Sequence, residues 1–233
     1  MCMQAVILAA GRGTRMGELT QTTPKSLLKV ADRSLIEYGL DALPDAVDEI
    51  IIVVGYLGGL IHDRFGPDYF GKRILYVEME QLHGTAAALW QAKDLLKDKF
   101  LVLPGDDIYG REDAARIVEA STWALGVAKV DELEEGGKIL MEKDMRIKDI
   151  VEGKHDSSPG YIYCSLACLD TRIFSHPMVP KSHGASEFGL PQTVLAASRS
   201  LHVPLEAVEI SSWIQITSPE DLKNAEKLLA PRP

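Results

Sequence analysis

The chain has 233 residues, 46% hydrophobic and 25% charged, with a net charge of −9 and a pI near 5.2. No stretch approaches the ~18 consecutive apolar residues of a membrane-spanning helix, and the acidic balance argues against a general nucleic-acid-binding surface. Size and composition fit one soluble domain. The first residues carry no basic-then-apolar leader pattern. Cys2, Cys164 and Cys168 form neither a disulfide framework nor a zinc-binding spacing. A cytoplasmic protein with reduced thiols is therefore expected.

In chain order, residues 4–9 (QAVILA) are an apolar run that reads as a buried strand. Ser34 opens an amphipathic stretch with Leu35, Ile36, Leu40 and Leu43 at helical spacing. Residues 49–54 (EIIIVV) predict a second buried strand, 57–65 a short helix and 74–77 a third strand. Residues 85–96 (TAAALWQAKDLL) predict a helix. Residues 100–103 (FLVL) predict a fourth strand running into Pro104-Gly105-Asp106-Asp107. A helix over 113–120 and a strand over 124–130 follow.

This alternation predicts an α/β fold: a three-layer αβα, Rossmann-like arrangement around a mostly parallel sheet. Past residue 130 the texture changes. Residues 139–151 and 161–169 read as strands around polar turns, a mixed-sheet lobe. Ser218 then caps a C-terminal helix with Pro219 at its first position. With no repeat and no linker, residues 1–233 are expected to form one domain.

The most informative stretch is residues 8–25, LAAGRGTRMGELTQTTPK. Residues 1–30 hold Arg12, Arg15, Lys25 and Lys29 against Glu18 alone, on an otherwise acidic chain. A local cationic loop of this kind suits a small anionic ligand. A dinucleotide fingerprint does not fit: Gly11, Gly13 and Gly17 place the third glycine one residue late, and no helix follows directly. No P-loop motif occurs either. Gly11 and Gly13 let backbone N–H groups approach phosphate oxygens. Arg15 offers a planar fork of donors, and Lys25 a compact charge on a chain preset by Pro24. In open α/β sheets ligands sit beyond the carboxyl ends of the strands. Both this loop and Gly105-Asp106-Asp107 are predicted to lie there. Asp107 reads as the blander neighbour, capping or contacting the following helix.

This loop resembles the signature of the sugar-phosphate nucleotidyltransferases, G-x-G-T-R-x-x-x-L-T followed by P-K-x-L-x-x-V. It is matched by Gly11, Gly13, Thr14, Arg15, Leu19, Thr20, Pro24, Lys25, Leu27 and Val30. The segments GYL (55–57), GTAAA (84–88), PGDD (104–107) and SPEDL (218–222) follow in the family's order. The resemblance implies a GT-A-like fold, with residues 1–130 as the NTP-binding half and 131–233 as the acceptor-binding lobe and C-terminal helix. It implies an enzyme that joins an NTP to a sugar 1-phosphate, releasing pyrophosphate, with Mg²⁺ as cofactor. Arg15 would hold the leaving pyrophosphate, Lys25 would bridge the attacking and α-phosphates, and Asp106 would ligate Mg²⁺. Ala9, Ala10, Gly11, Gly13 and Thr14 would line the phosphates. Gly84 and Thr85 would meet the base and ribose, and Gly105 the substrate.

Two places depart from the family pattern. Glu152 and Lys154 in IVEGK stand near the family's Glu-Lys-Pro, whose acid contacts sugar hydroxyls and whose lysine contacts the acceptor phosphate. Gly153 intervenes and no proline follows. In WIQITSPEDL, Gln215 stands where the family usually has a second metal-binding aspartate. An amide oxygen can still ligate, without a charge. The expected substrates are UTP or dTTP and a sugar 1-phosphate, with no nucleic-acid or membrane partner and a homodimer as the family's common assembly. The alternatives are a cytidylyltransferase acting on phosphocholine or an inositol phosphate, and a catalytically silent nucleotide or sugar-nucleotide sensor, for which Gln215 is the argument.

Overall fold

The computed structural model describes residues 3–81 and 83–230, so Cys2 lies outside the described residues. Its strands are β1 Met3–Ala9, β2 Lys29–Val30, β3 Arg33–Ser34, β4 Val47–Val54, β5 Asp68–Tyr69, β6 Lys72–Glu78, β7 Lys99–Pro104, β8 Ile108–Tyr109, β9 Trp123–Met141, β10 Ile147–Asp170, β11 Leu205–Glu209 and β12 Trp213–Ile214. Its α-helices are α1 Leu35–Ala42, α2 Gly58–Phe65, α3 Thr85–Gln91, α4 Arg111–Val118, α5 Leu190–Leu201 and α6 Pro219–Leu229. Among the described residues no helix is long and apolar enough to cross a membrane.

One sheet runs in the order β11-β9-β10-β7-β1-β4-β6-β5. Its centre is parallel: β1 lies between β4 and β7, and β4 pairs in turn with β6. The antiparallel part comes from β10, which pairs with both β7 and β9. The mixed region expected after residue 130 is thus continuous with the central sheet.

The alternation of side chains along each strand splits the core into two layers. Val6, Ile51, Val53 and Val102 face α3 and α5. Ala5, Ile7, Ile50 and Ile52 face α1, α2 and α4. The central strands are therefore apolar on both faces, which is why EIIIVV shows no polar alternation. Each fully buried Val, Ile or Leu contributes about 1.5–3 kcal/mol. A third cluster seats α6, through Ala225, on Met16, Val30, Leu35, Ile108 and Ile216, tying the C-terminal segment to the opening loop.

Local signals set most boundaries. Ser34 and Glu37 form a capping box on α1, and the Ser34 N–H donates to Glu37 Oε2 at 2.8 Å. Ser218 and Asp221 do the same on α6, where Pro219 occupies the first turn. α3 stops at Gln91, before the Leu96 expected from sequence, and continues as a tight turn over Lys93–Leu95. α5 and β11 went unanticipated. Gly-Leu-Pro at 189–191, with Leu190, Val194, Ala197 and Leu201 at helical spacing, was the available signal.

A buried acid outside the cleft fastens the last third of the chain. Asp113 on α4 is 1% exposed. Its carboxylate accepts from Ser212 N at 2.7 Å, Ser211 N at 3.1 Å and Ser211 Oγ at 3.0 Å, and it pairs with Arg116. Asp113→Ala leaves these donors without their acceptor and is expected to cost about 3–5 kcal/mol, read as a fall in the urea midpoint. A loss under about 1 kcal/mol would show that water replaces the carboxylate.

Candidate active site

The carboxyl ends of β1 and β7 open into a cleft of about 520 Å³. β1 delivers Ala9 and Ala10 to it, and the following loop delivers Gly11, Arg12, Gly13, Thr14 and Arg15. This loop is folded back on itself. Gly13 adopts a left-handed conformation (φ 63°), its carbonyl accepts from Met16 N at 2.9 Å, and Thr20 Oγ1 donates to the same carbonyl at 3.0 Å. A β-carbon on Gly13 would stand 2.8 Å from Lys25 Cβ, so the glycine also makes room for the lysine. Pro24, extended at φ −62° and ψ 144°, turns the chain into the short 3-10 turn Lys25–Leu27.

Arg12 lies over the Tyr56 ring, 5.6 Å from its centroid, and Tyr56 Oη donates to Gln21 O at 2.8 Å. Arg15 is exposed at the cleft and makes no ion pair among the described residues, so its guanidinium is available to an anion. Lys25 reaches across from its turn. Its Nζ donates to Asp106 Oδ2 at 2.5 Å and to the Ile216 carbonyl. The Lys25 and Asp106 side chains are 13% and 33% exposed, so the pair is half-sheltered at the cleft floor.

The two neighbouring aspartates face opposite ways. Asp106 lines the cleft, while Asp107 is 5% exposed and turned toward the C-terminal segment. Asp107 does not cap α4, whose N-cap is Gly110. Instead its Oδ2 accepts from Trp213 Nε1 at 3.0 Å and its Oδ1 from Ile216 N at 3.3 Å. Burial, and then the Asp106 charge, pushes the Asp107 carboxyl up to about 7; its hydrogen bonds and Lys25 oppose that rise.

The opposite wall comes from the turn before α3 and from the segment preceding α5. Gly84 and Thr85 line the cleft beside Glu187 and Leu190. The two segments are stitched together: Phe188 N donates to His83 O at 2.7 Å, Ala86 N to Phe188 O at 3.1 Å, and Leu190 N to Thr85 Oγ1 at 3.0 Å. The Thr85 hydroxyl therefore already has a backbone partner. β10 adds Tyr163 and Ser165, the latter in a left-handed conformation (φ 62°). Two buried hydroxyl groups of the lining, Ser26 Oγ and Tyr163 Oη, have no hydrogen-bond partner.

Of the residues singled out in the sequence, Ala9, Ala10, Gly11, Gly13, Thr14, Arg15, Lys25, Gly84, Thr85, Gly105 and Asp106 come together around this one cleft. Glu152, Lys154 and Gln215 are not among its lining residues. Glu152 Oε1 accepts from Gln192 Nε2 on α5 at 2.7 Å, and Lys154 is exposed farther along β10. Gln215 is exposed just after β12, while Thr217, two residues on, lines the cleft. Sequence reading missed Ser26, Tyr163, Glu187 and Thr217. Only Ser26, beside Lys25, carried a local signal. Cys164 and Cys168 are buried and free, and burial pushes both thiols up to about 12, which keeps them protonated and unreactive.

Residues 4–167 match the family model described as nucleotidyl transferase. UTP–glucose-1-phosphate uridylyltransferase AglF of Haloferax volcanii is 28% identical, with 97% of this chain and 96% of that protein covered. The choline-phosphate cytidylyltransferase of Streptococcus pneumoniae is also 28% identical, over 97% and 98% of the two chains. The bifunctional protein GlmU of Methanococcus maripaludis is 29% identical, and this chain spans 53% of its length. A solved Bacillus anthracis structure, described as a candidate glucose-1-phosphate thymidylyltransferase, superposes with a TM-score of 0.84. It is 23% identical, with 100% of this chain and 97% of that one covered, which is a likeness of fold.

Proposed function

The chain belongs to the sugar-phosphate nucleotidyltransferase family, and from that premise we propose that it transfers a nucleoside monophosphate from UTP or dTTP to a sugar 1-phosphate. The products are an NDP-sugar and pyrophosphate. The observation that carries this reading is the meeting of the Gly11–Arg15 anion loop with the Lys25–Asp106 pair in one cleft. The full-length likeness to AglF, a UTP–glucose-1-phosphate uridylyltransferase, supports the choice of donor and acceptor.

In this reading an oxygen of the acceptor phosphate attacks the α-phosphorus, and the bond from that phosphorus to the pyrophosphate oxygen breaks. Such a transfer needs positioning and charge neutralisation more than covalent catalysis. The backbone N–H groups of the loop and the Arg15 fork hold the departing pyrophosphate. Lys25, fixed by Asp106 and the Ile216 carbonyl, presents its remaining donor to the phosphates.

Magnesium fits the residues present. Asp106 is a partly exposed carboxylate at the floor of an anion-binding cleft. Mg²⁺ is ordinarily held by one or two carboxylates together with substrate phosphates and water. Asp106 would hold it. Asp107, already engaged by Trp213 and Ile216, and Gln215, exposed beyond the lining, supply no second carboxylate. When bound, the ion spreads the charge of the phosphates.

A second reading, cytidylyl transfer to a cationic alcohol phosphate such as phosphocholine, is favoured by the end-to-end match with the pneumococcal enzyme. It is also favoured by Glu187, a cleft carboxylate with no ion pair among the described residues. One experiment separates the two: pyrophosphate release with Mg²⁺, crossing ATP, CTP, GTP, UTP and dTTP against sugar 1-phosphates, phosphocholine and inositol phosphate. The expected result is release with UTP or dTTP and a sugar 1-phosphate. Release only with CTP and phosphocholine would replace the first reading by the second. Silence across the panel with NTP still bound would point to a sensor.

A further inference from the structure

Asp106 and Asp107 are adjacent in sequence, yet they hold Lys25 from two sides. Asp106 Oδ2 accepts from Lys25 Nζ directly at 2.5 Å. Lys25 Nζ also donates to the carbonyl of Ile216, whose own N–H donates to Asp107 Oδ1 at 3.3 Å. Trp213 Nε1 donates to the other oxygen of Asp107 at 3.0 Å. Three hydrogen bonds thus run from Asp106 through the Lys25 ammonium and the Ile216 backbone to Asp107, and the peptide bond between the two aspartates closes the loop. Ile216 itself is fully buried, packed with Met16 and Leu35. We propose that Asp107 is a positioning residue for Lys25: it fixes the Ile216 backbone so that its carbonyl anchors the ammonium.

The physical case rests on the lysine stem. Four rotatable bonds leave an unanchored ammonium many positions, and one acceptor fixes a distance but not a direction. Two acceptors on different chain segments fix both and leave the third donor for a phosphate. The Ile216 carbonyl can act in this way only if its segment holds still. Residues 213–216 meet β8 through a two-residue ladder, Trp213–Tyr109 and Ile214–Ile108, which ends before Ile216. Asp107 supplies the missing hold, and the same clamp carries Thr217 to the cleft. The position of the acid has its own consequence: a buried carboxyl is costly unless its oxygens are occupied, and here both accept from the segment it holds.

The inference rests on the proposed role of Lys25 in transfer. The test is a double-mutant cycle on the single-turnover rate, using the substrate pair found by the pyrophosphate panel, with Asp107→Ala, Lys25→Ala and the double variant. Asp107→Ala is expected to lower the rate by ~10–100-fold through misplacement of the ammonium, with the acceptor KM changed less than about threefold. In the Lys25→Ala background the same change is expected to cost under about twofold, because the group it positions is gone. An equal loss in both backgrounds would make Asp107 merely structural and overturn the proposal while sparing the role of Lys25. Lys25→Ala with a normal rate would overturn both.

If Asp107→Ala does not fold, Asp107→Asn combined with Trp213→Phe carries the test. The amide oxygen can still accept from Ile216, and the donor that would oppose the amide nitrogen is removed. Its rate is expected within about threefold of Trp213→Phe alone. A tenfold deficit there would overturn the proposal.

Discussion

Lys25→Ala is expected to lower turnover by about 10²–10³-fold, the usual loss when a fixed donor to developing charge is removed. Stability should change little, since the lysine is at the cleft floor and Asp106 is one-third exposed and can be rehydrated. Arginine should not restore the rate. Gly13 stands where any β-carbon would lie 2.8 Å from Lys25 Cβ, so the stem runs through a tight passage, and a planar fork cannot occupy both acceptors as a compact ammonium does. The measurement is kcat and KM by pyrophosphate release beside a thermal melt. Turnover within about threefold of the parent protein would remove Lys25 from the chemistry. A large fall in Tm together with the rate would reassign it to structure.

Gly84→Ala is expected to be the most damaging small substitution in the cleft. Gly84 has φ 92° and ψ 179°, a conformation that side chains rarely adopt. A β-carbon there would sit 2.4 Å from Phe188 O and 2.8 Å from Phe188 N, both backbone atoms that cannot rotate away. Strain and clash together are expected to cost about 3 kcal/mol or more. That cost should be met by separation of residues 187–190 from the turn before α3, which breaks the Ala86–Phe188 and Leu190–Thr85 hydrogen bonds. The check is urea unfolding together with nucleotide binding. Gly11→Ala is the matched control, because a β-carbon at Gly11 meets nothing within 4 Å. Its stability should stay within about 0.5 kcal/mol of the parent. Equal stability of the two variants would show that the 187–190 segment yields freely.

Much of the site was legible because its signals are local. The glycines, Arg15 and the Pro-Lys pair lie within fifteen residues of one another, and their geometry is set by turns and a proline that act over three or four residues. The same holds for the Ser34 and Ser218 caps and for the unbroken apolar strands. α5 escaped notice although its Gly-Leu-Pro start and apolar spacing were present. Glu152 and Lys154 were located by motif similarity, but which way a residue of β10 points depends on its register with β9. That register shifts repeatedly between Ile147 and Ala167. One slip turns every following side chain to the other face.

The sequence by itself determined the αβα order, the helix caps and the glycine-rich cationic loop, because each is encoded by short-range periodicity, backbone preference or charge; Lys25 and Asp106 were singled out by their place in a motif that resembles a known family. Only the tertiary structure decided how Asp106 and Asp107 divide their work and that Glu187, Tyr163 and Thr217 reach the cleft while Gln215 does not. Those outcomes depend on strand order and on contacts between residues about a hundred positions apart, such as Asp107 with Trp213 and Ile216. Burial and hydrogen-bond pairing choose among such long-range contacts only after the whole chain has closed around its core.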